Sequence, residues 1–336
     1  IELEGAVGRF LEDEKRRYVA WKQATSGLAD AARRPGEYRG QCRLFCLPQE
    51  CAEENLFPGI RESVTAYFRR REIKWHDGRD RRPSVHLCDS QVCCVNFLFP
   101  FARQPEALGT LLRPLYPDLV EMLPVEDGLY VAHEWIGARN YLHEVSRNGI
   151  RTRGANYTSA DAIVRFRRAD GSVQVVLIEW KYTESPGGTN VRYARSGKDK
   201  TTIYRPFYER ACCPLDRTSV DRAGFEALFY EPFYQLMRQQ FLAHEMERAK
   251  ELDADIVSLL LIAPAHNGGF RRVTSPALRQ LGASATDVWA RLVAAPDRYR
   301  SVNTEALFAR LVTGGVAAMA RSGEYIRDRY PWVLQI

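Results

Sequence analysis

The chain has 336 residues, 45% of them hydrophobic, which is enough to bury a large core and more than one layer of structure. Its charge is +6, and no run of 18 apolar residues and no secretory leader is visible, so it reads as a soluble cytoplasmic protein. No Walker loop, no G-x-G-x-x-G and no G-x-S-x-G occurs, so nucleotide hydrolysis, dinucleotide binding and acyl transfer have no support.

In chain order, a charged helix is expected over Leu3–Ala20, and a second one follows Asn55-Leu56-Phe57-Pro58 through Ile60–Phe68. Arg69–Arg82 is a charge run, read as a solvated loop that could also touch phosphates. Val92–Phe101 is strongly apolar. Prolines 100, 105, 114, 117 and 124 then mark 102–127 as the best boundary candidate. After it come a strand (Gly128–Ala132), a helix over about 134–147, and two strands, Asp161–Arg168 and Val173–Tyr182. A basic Gly/Ser/Thr-rich stretch (Ser185–Thr202) leads to a long helix, about Pro232–Leu252, a strand (Asp255–Ala263) and a helical remainder. This order describes an α/β, α+β-like fold with a central mixed sheet flanked by helices and a mainly helical N-terminal region. The expected parts are 1–127, whose role is open with substrate binding as one candidate, a core over 128–265, and a C-terminal helical extension, 266–336.

The eight cysteines, at 42, 46, 51, 88, 93, 94, 212 and 213, are irregularly spaced and include no C-x-x-C, so buried reduced thiols are favoured. Zinc or an iron–sulfur cluster on Cys42, Cys46, Cys51, His86, Cys88 and Cys93 is the weaker alternative. His76, His86, His133 and His143 read as hydrogen-bonded structural residues.

The informative stretch is the strand pair. Ala169-Asp170-Gly171 is a hairpin signal, and a three-residue loop sets Asp161 opposite Glu179. Directly paired Cβ atoms lie about 4.5–5.5 Å apart. Lys181 shares the face of Glu179, while Trp180 points the other way. The second strand, Val-Gln-Val-Val-Leu-Ile-Glu-Trp-Lys, is apolar on both faces, so charges at its end need a reason. Two carboxylates and an ammonium on one buried patch suit a Mg²⁺ site with a cation beside it. On the expected helix, Glu134 joins the stripe of Ala138, Tyr141, Leu142 and Val145, whereas Glu144 lies about 80° off it. Glu134 is therefore the expected third carboxylate.

Asp161 and Glu179-x-Lys181 on a hairpin, preceded by Glu134, resemble the PD-(D/E)xK nuclease superfamily. The passage Thr158-Ser159-Ala160-Asp161-Ala162 with Ile178-Glu179-Trp180-Lys181-Tyr182-Thr183-Glu184 resembles a bacterial branch of restriction-endonuclease-like proteins. Trp75-His76 and Pro83-Ser84-Val85-His86 are similar to segments of the same branch. The resemblance implies a restriction-endonuclease-like core and Mg²⁺-dependent hydrolysis of DNA, with Mn²⁺ able to substitute. Glu134, Asp161 and Glu179 would bind metal, and Lys181 would orient or polarise the attacking water. Ala160 stands where the superfamily pattern has proline. On the long helix Gln235, Arg238, Gln239 and Leu242 share a face, and Gln235 resembles the glutamine that approaches the site in exonuclease members.

Between 139 and 210 there are 14 Lys/Arg against 7 Asp/Glu. That places the positive field over the hairpin, as a nucleic-acid footprint would be. Arg192, Arg195, Lys198, Lys200 and Arg205, with Tyr193 and Tyr204 interleaved, and Arg238 are the expected phosphate contacts. The partners expected are DNA and, as candidates, a second copy of the chain and other defence-system proteins, with no membrane. The rivals are a non-catalytic nucleic-acid-binding module that keeps the fold, a nuclease directed at RNA, and a metal-stabilised interaction protein.

Overall fold

The computed structural model describes residues 8–146 and 149–335. Its helices are α1 (Arg9–Ala24), α2 (Arg61–Arg70), α3 (Ser90–Leu98), α4 (Pro105–Leu112), α5 (Thr201–Tyr208), α6 (Arg217–Ala223), α7 (Phe233–Arg248), α8 (Ala285–Leu292), α9 (Thr304–Val312) and α10 (Ala320–Arg329). A small antiparallel pair, β1 (Gly36–Tyr38) and β2 (Gln41–Arg43), stands apart from the main sheet. The main sheet has six strands: β3 (Leu119–Leu123), β4 (Val131–Trp135), β5 (Ala160–Arg168), β6 (Val173–Trp180), β7 (Ile256–Ala263) and β8 (Tyr299–Asn303).

The sheet is mixed. β5 and β6 are antiparallel, β7 and β8 continue from β6 in parallel, and β3 and β4 share the other edge of β5. The hairpin turn forms as expected. Gly171 takes φ 86, and Asp170 Oδ1 accepts the Ser172 amide at 2.9 Å. Gly is suited to that left-handed position because it has no Cβ to clash. The resulting register pairs Ala162 with Ile178 and Arg167 with Val173. One step further it brings Asp161 level with Glu179.

β6 is buried at all eight positions, which explains its apolar sequence. Val176, Ile178 and Trp180 face one layer, where Trp180 meets Phe97 of α3 at 5.0 Å between ring centroids. Val175 and Leu177 face the other, with Leu236 and Phe241 of α7. Each fully buried Val, Leu or Ile contributes about 1.5–3 kcal/mol relative to exposure, so the register is strongly specified: a one-residue slip would exchange these faces. Strands from Leu119 to Asn303 build one sheet, so it reaches beyond 128–265 at both ends.

Two expectations need correction. The expected strand Gly128–Ala132 lies later, as β4. The helix expected over 134–147 is absent from its described residues, and Arg147 lies outside them. Left-handed backbone at Gly137 (φ 76) and His143 (φ 54) interrupts any helix there. Asn140 closes a local turn instead, accepting the Glu144 amide at 3.1 Å and donating to its carbonyl at 2.6 Å. Val145, the last residue of the apparent stripe, is exposed.

Candidate active site

Asp161 and Glu179 sit on facing strands at the end of the β5–β6 hairpin. The Trp180 amide donates to Asp161 Oδ2 at 2.7 Å, holding the carboxyl against the neighbouring strand. Glu179 is 1% exposed. Its Oε1 lies 2.5 Å from Lys181 Nζ, and its Oε2 accepts from Gln239 Nε2 of α7. Lys181 Nζ also donates to Gln235 Oε1 at 2.9 Å. Strand alternation therefore turns Glu179 and Lys181 toward α7, and two glutamines one helical turn apart meet them.

Burial, and after it the nearby Glu179, push the Asp161 carboxyl well above the ordinary carboxylate range. Burial works against the charge of Lys181, but Glu179, Glu184 and Asp161 outweigh it, so its pKa is raised and it stays an ammonium. The patch thus combines a carboxyl that resists ionisation with a tight ion pair.

Glu134 is on β4, not on a helix. Its neighbours pair His133 with Ala162 and Trp135 with Ala160, which brings Glu134 level with Asp161. Its φ is 52, a conformation that non-glycine residues rarely adopt and one that clusters at functional sites. Gln91 Nε2 of α3 donates to Glu134 Oε1 at 2.7 Å, and Ser159 Oγ donates to Oε2 at 3.1 Å. His76 Nε2 is 3.7 Å from Oε1. Burial raises the Glu134 pKa.

Glu144 plays a different part from the one its helical phase implied. It is buried, and its carboxylate accepts from Thr158 N (2.7 Å), Thr158 Oγ1 (2.6 Å) and Tyr204 OH (2.7 Å). Glu144→Gln is therefore expected to destabilise the fold, because the new amide N–H₂ faces donors. Urea unfolding should show a loss of about 1–3 kcal/mol, and an unchanged midpoint would contradict this role. Glu134→Gln should leave stability closer to wild type and lower activity.

The six expected phosphate contacts divide. Arg192 is bound to Asp199 at 2.6 Å, Arg205 to Glu226 at 2.5 Å, and Arg238 lies 3.9 Å from Glu144 and 4.8 Å from the Tyr234 ring centroid. Lys200 Nζ lies over the same ring, at 4.7 Å. Arg195 and Lys198, on the turn around Gly197, are exposed.

Gln91, Gln239 and His76 were not assigned to the site by their sequence. Gln91 lies in a helix whose described side chains Gln91–Leu98 are all buried. Asp89 caps that helix by accepting the Val92 amide at 2.8 Å. Burial pushes its pKa up to about 7. The unfolded value is about 3.9, so its stabilising contribution is complete below that value and is lost as pH rises through about 7. The melting temperature should accordingly fall between pH 5.5 and 8, and less so in Asp89→Asn, which keeps the cap. Equal pH dependence in the two proteins would contradict the shift.

Cys46, Cys88, Cys93 and Cys94 are buried free thiols whose pKa values burial raises. Among the described residues, no group of three or more His, Cys, Asp or Glu side chains is gathered to hold a metal ion, and no helix is long and apolar enough to cross a membrane.

The central hairpin of a mixed sheet thus brings an Asp, a Glu and a Lys to one buried patch, and the match of a restriction-endonuclease family model to the chain gives the class of protein. The particular family is shown by its sequence: the model described as restriction endonuclease associating with ARP matches residues 15–331, and the chain belongs to that family. No curated protein and no solved structure matches.

Proposed function

We propose that the chain is a Mg²⁺-dependent deoxyribonuclease of the PD-(D/E)xK type that serves restriction or anti-phage defence. The observation that carries the reading is Lys181 Nζ, 2.5 Å from Glu179 and held by Gln235, on the same end of the hairpin as Asp161. The donor chemistry suits the metal. Mg²⁺ takes oxygen ligands, is held by one or two carboxylates, and keeps waters and substrate phosphate oxygens for its remaining positions. Asp161 and Glu179 meet that need without a third carboxylate. Glu134, level with Asp161 and with each oxygen accepting a single hydrogen bond from Gln91 or Ser159, would complete the set.

When bound, the metal supplies a lowered pKa for an attacking water and charge stabilisation at the phosphate. The residues of the chain do the rest. Asp161 and Glu179 would hold the cation. Lys181 keeps its proton and presents an ammonium to the water and to the developing phosphate charge. Gln235 and Gln239 fix the Lys181 and Glu179 side chains against α7, which limits their rotamers before substrate arrives. The family's description names an association with ARP, and a protein partner is accordingly proposed beside DNA.

Circular and linear DNA, single-stranded DNA and RNA, each incubated with Mg²⁺, Mn²⁺ or EDTA, test this reading. Metal-dependent cutting of DNA is expected. Binding without cutting under every metal condition would favour the non-catalytic rival, and cutting of RNA alone would overturn the DNA assignment.

A further inference from the structure

The charge run Arg69–Arg82 divides into spent and unspent cations. Arg70 and Arg71 contact Asp127, Arg71 also lies 3.3 Å from Glu126, and Arg79 lies 3.7 Å from Glu37. Arg69, Lys74 and Arg81 are exposed and, among the described residues, make no ion pair and no side-chain hydrogen bond. These three line one recess of about 190 Å³, with Glu72 as the single acid and Phe68, Ile73 and Trp75 as its apolar wall. The Phe68 and Trp75 rings stack at 3.9 Å.

The backbone around the recess is tied down by hydrogen bonds. The Lys74 amide donates to the Arg153 carbonyl at 3.0 Å, and that of Ile73 to the Phe68 carbonyl at 2.8 Å. A Cβ on Gly78 would stand 2.2 Å from the Arg82 carbonyl oxygen, so the loop from Trp75 to Arg82 closes on itself. It is also tied to the carboxylate site. The Gln91 side chain donates to the Lys74 carbonyl at 3.1 Å and to Glu134 at 2.7 Å, and accepts the His76 amide at 2.7 Å. Unpaired cations in a pre-formed recess favour a compact anion, because neither the loop nor their neighbours must reorganise to receive it.

We propose that Arg69, Lys74 and Arg81 form a phosphate subsite that holds a backbone phosphate of the nucleic acid beside the one being cut. The subsite rests on the nuclease reading and gives the N-terminal region a defined part in it.

The test is fluorescence anisotropy of labelled duplex and single-stranded DNA in EDTA over a salt series. It uses wild type, R69A, K74A, R81A, the triple variant, and R167A as a control. Arg167 lies on β5 six residues from Asp161, about 20 Å along the strand. Each single change should weaken binding several-fold and the triple on the order of a hundredfold at low salt. The salt slope should fall by about 0.9 on duplex and about 0.7 on single strands for each phosphate that is no longer neutralised, and R167A should change neither affinity nor slope.

Wild-type affinity and slope in the triple variant would overturn the subsite while leaving the nuclease reading intact. A wild-type protein with no affinity for nucleic acid would overturn both. A third arm follows the rise in melting temperature given by inorganic phosphate. If the triple variant loses that rise but binds DNA as before, the recess serves free phosphate and the proposal fails.

Discussion

Lys181→Ala is expected to lower the cleavage rate about a hundredfold to a thousandfold or more, with DNA affinity changed little. In the proposed mechanism the ammonium acts on charge that develops in the transition state, and such an interaction affects rate more than ground-state binding. The structure adds a consequence for stability. Lys181 is the countercharge of Glu179, a carboxylate 1% exposed, with Nζ 2.5 Å from Oε1. Breaking a buried pair by removing one partner costs about 3–5 kcal/mol, so the metal-free variant should melt below wild type. Mn²⁺ should narrow that gap, because a cation on Glu179 replaces the missing charge. A variant that cuts DNA at the wild-type rate would remove Lys181 from the mechanism.

Asp161→Asn is expected to abolish cleavage, on the order of a thousandfold or more, and yet to leave the metal-free protein at least as stable as wild type. The Asn carbonyl oxygen can still accept the Trp180 amide that Asp161 accepts at 2.7 Å. The difference is charge. Burial and Glu179 raise the Asp161 pKa well above its unfolded value, so its contribution is complete at low pH and is lost as pH rises through the folded value. Wild type without metal should therefore lose melting temperature on the alkaline side, and Asp161→Asn should lose less. Adding Mn²⁺ should restore wild type by mass action on the native state and help the variant little. Parallel pH curves for the two proteins, with equal metal-induced shifts, would count against the paired-carboxylate site.

The hairpin was legible because its determinants are local. A glycine-bearing three-residue loop sets the register, and an apolar run with charges only at its end marks which rung carries the buried charges. Gln235 was singled out by the family resemblance rather than by a local pattern, and it meets Lys181 Nζ at 2.9 Å. Glu134 was placed near the site but on the wrong element. Its stripe on Ala138, Tyr141 and Leu142 is an accident of spacing in a stretch that left-handed residues break, and its pairing partner lies across a long connection. Gln91 and His76 were illegible because packing across the sheet, rather than any local pattern, brings α3 and the Arg69–Arg82 run to Glu134. The charge run itself was visible from sequence. Which of its cations are already neutralised was not, since Asp127, Glu126 and Glu37 reach them only in the folded chain.

The most direct measurement of the central claim is a Mn²⁺ titration followed by electron paramagnetic resonance, which reads the loss of free-ion signal without any substrate. Wild type is expected to withdraw Mn²⁺ from solution saturably, and Asp161→Asn and Glu179→Gln are each expected to withdraw much less while remaining folded. Saturable uptake of the same strength in all three proteins, or none in wild type, would contradict a metal site built on Asp161 and Glu179.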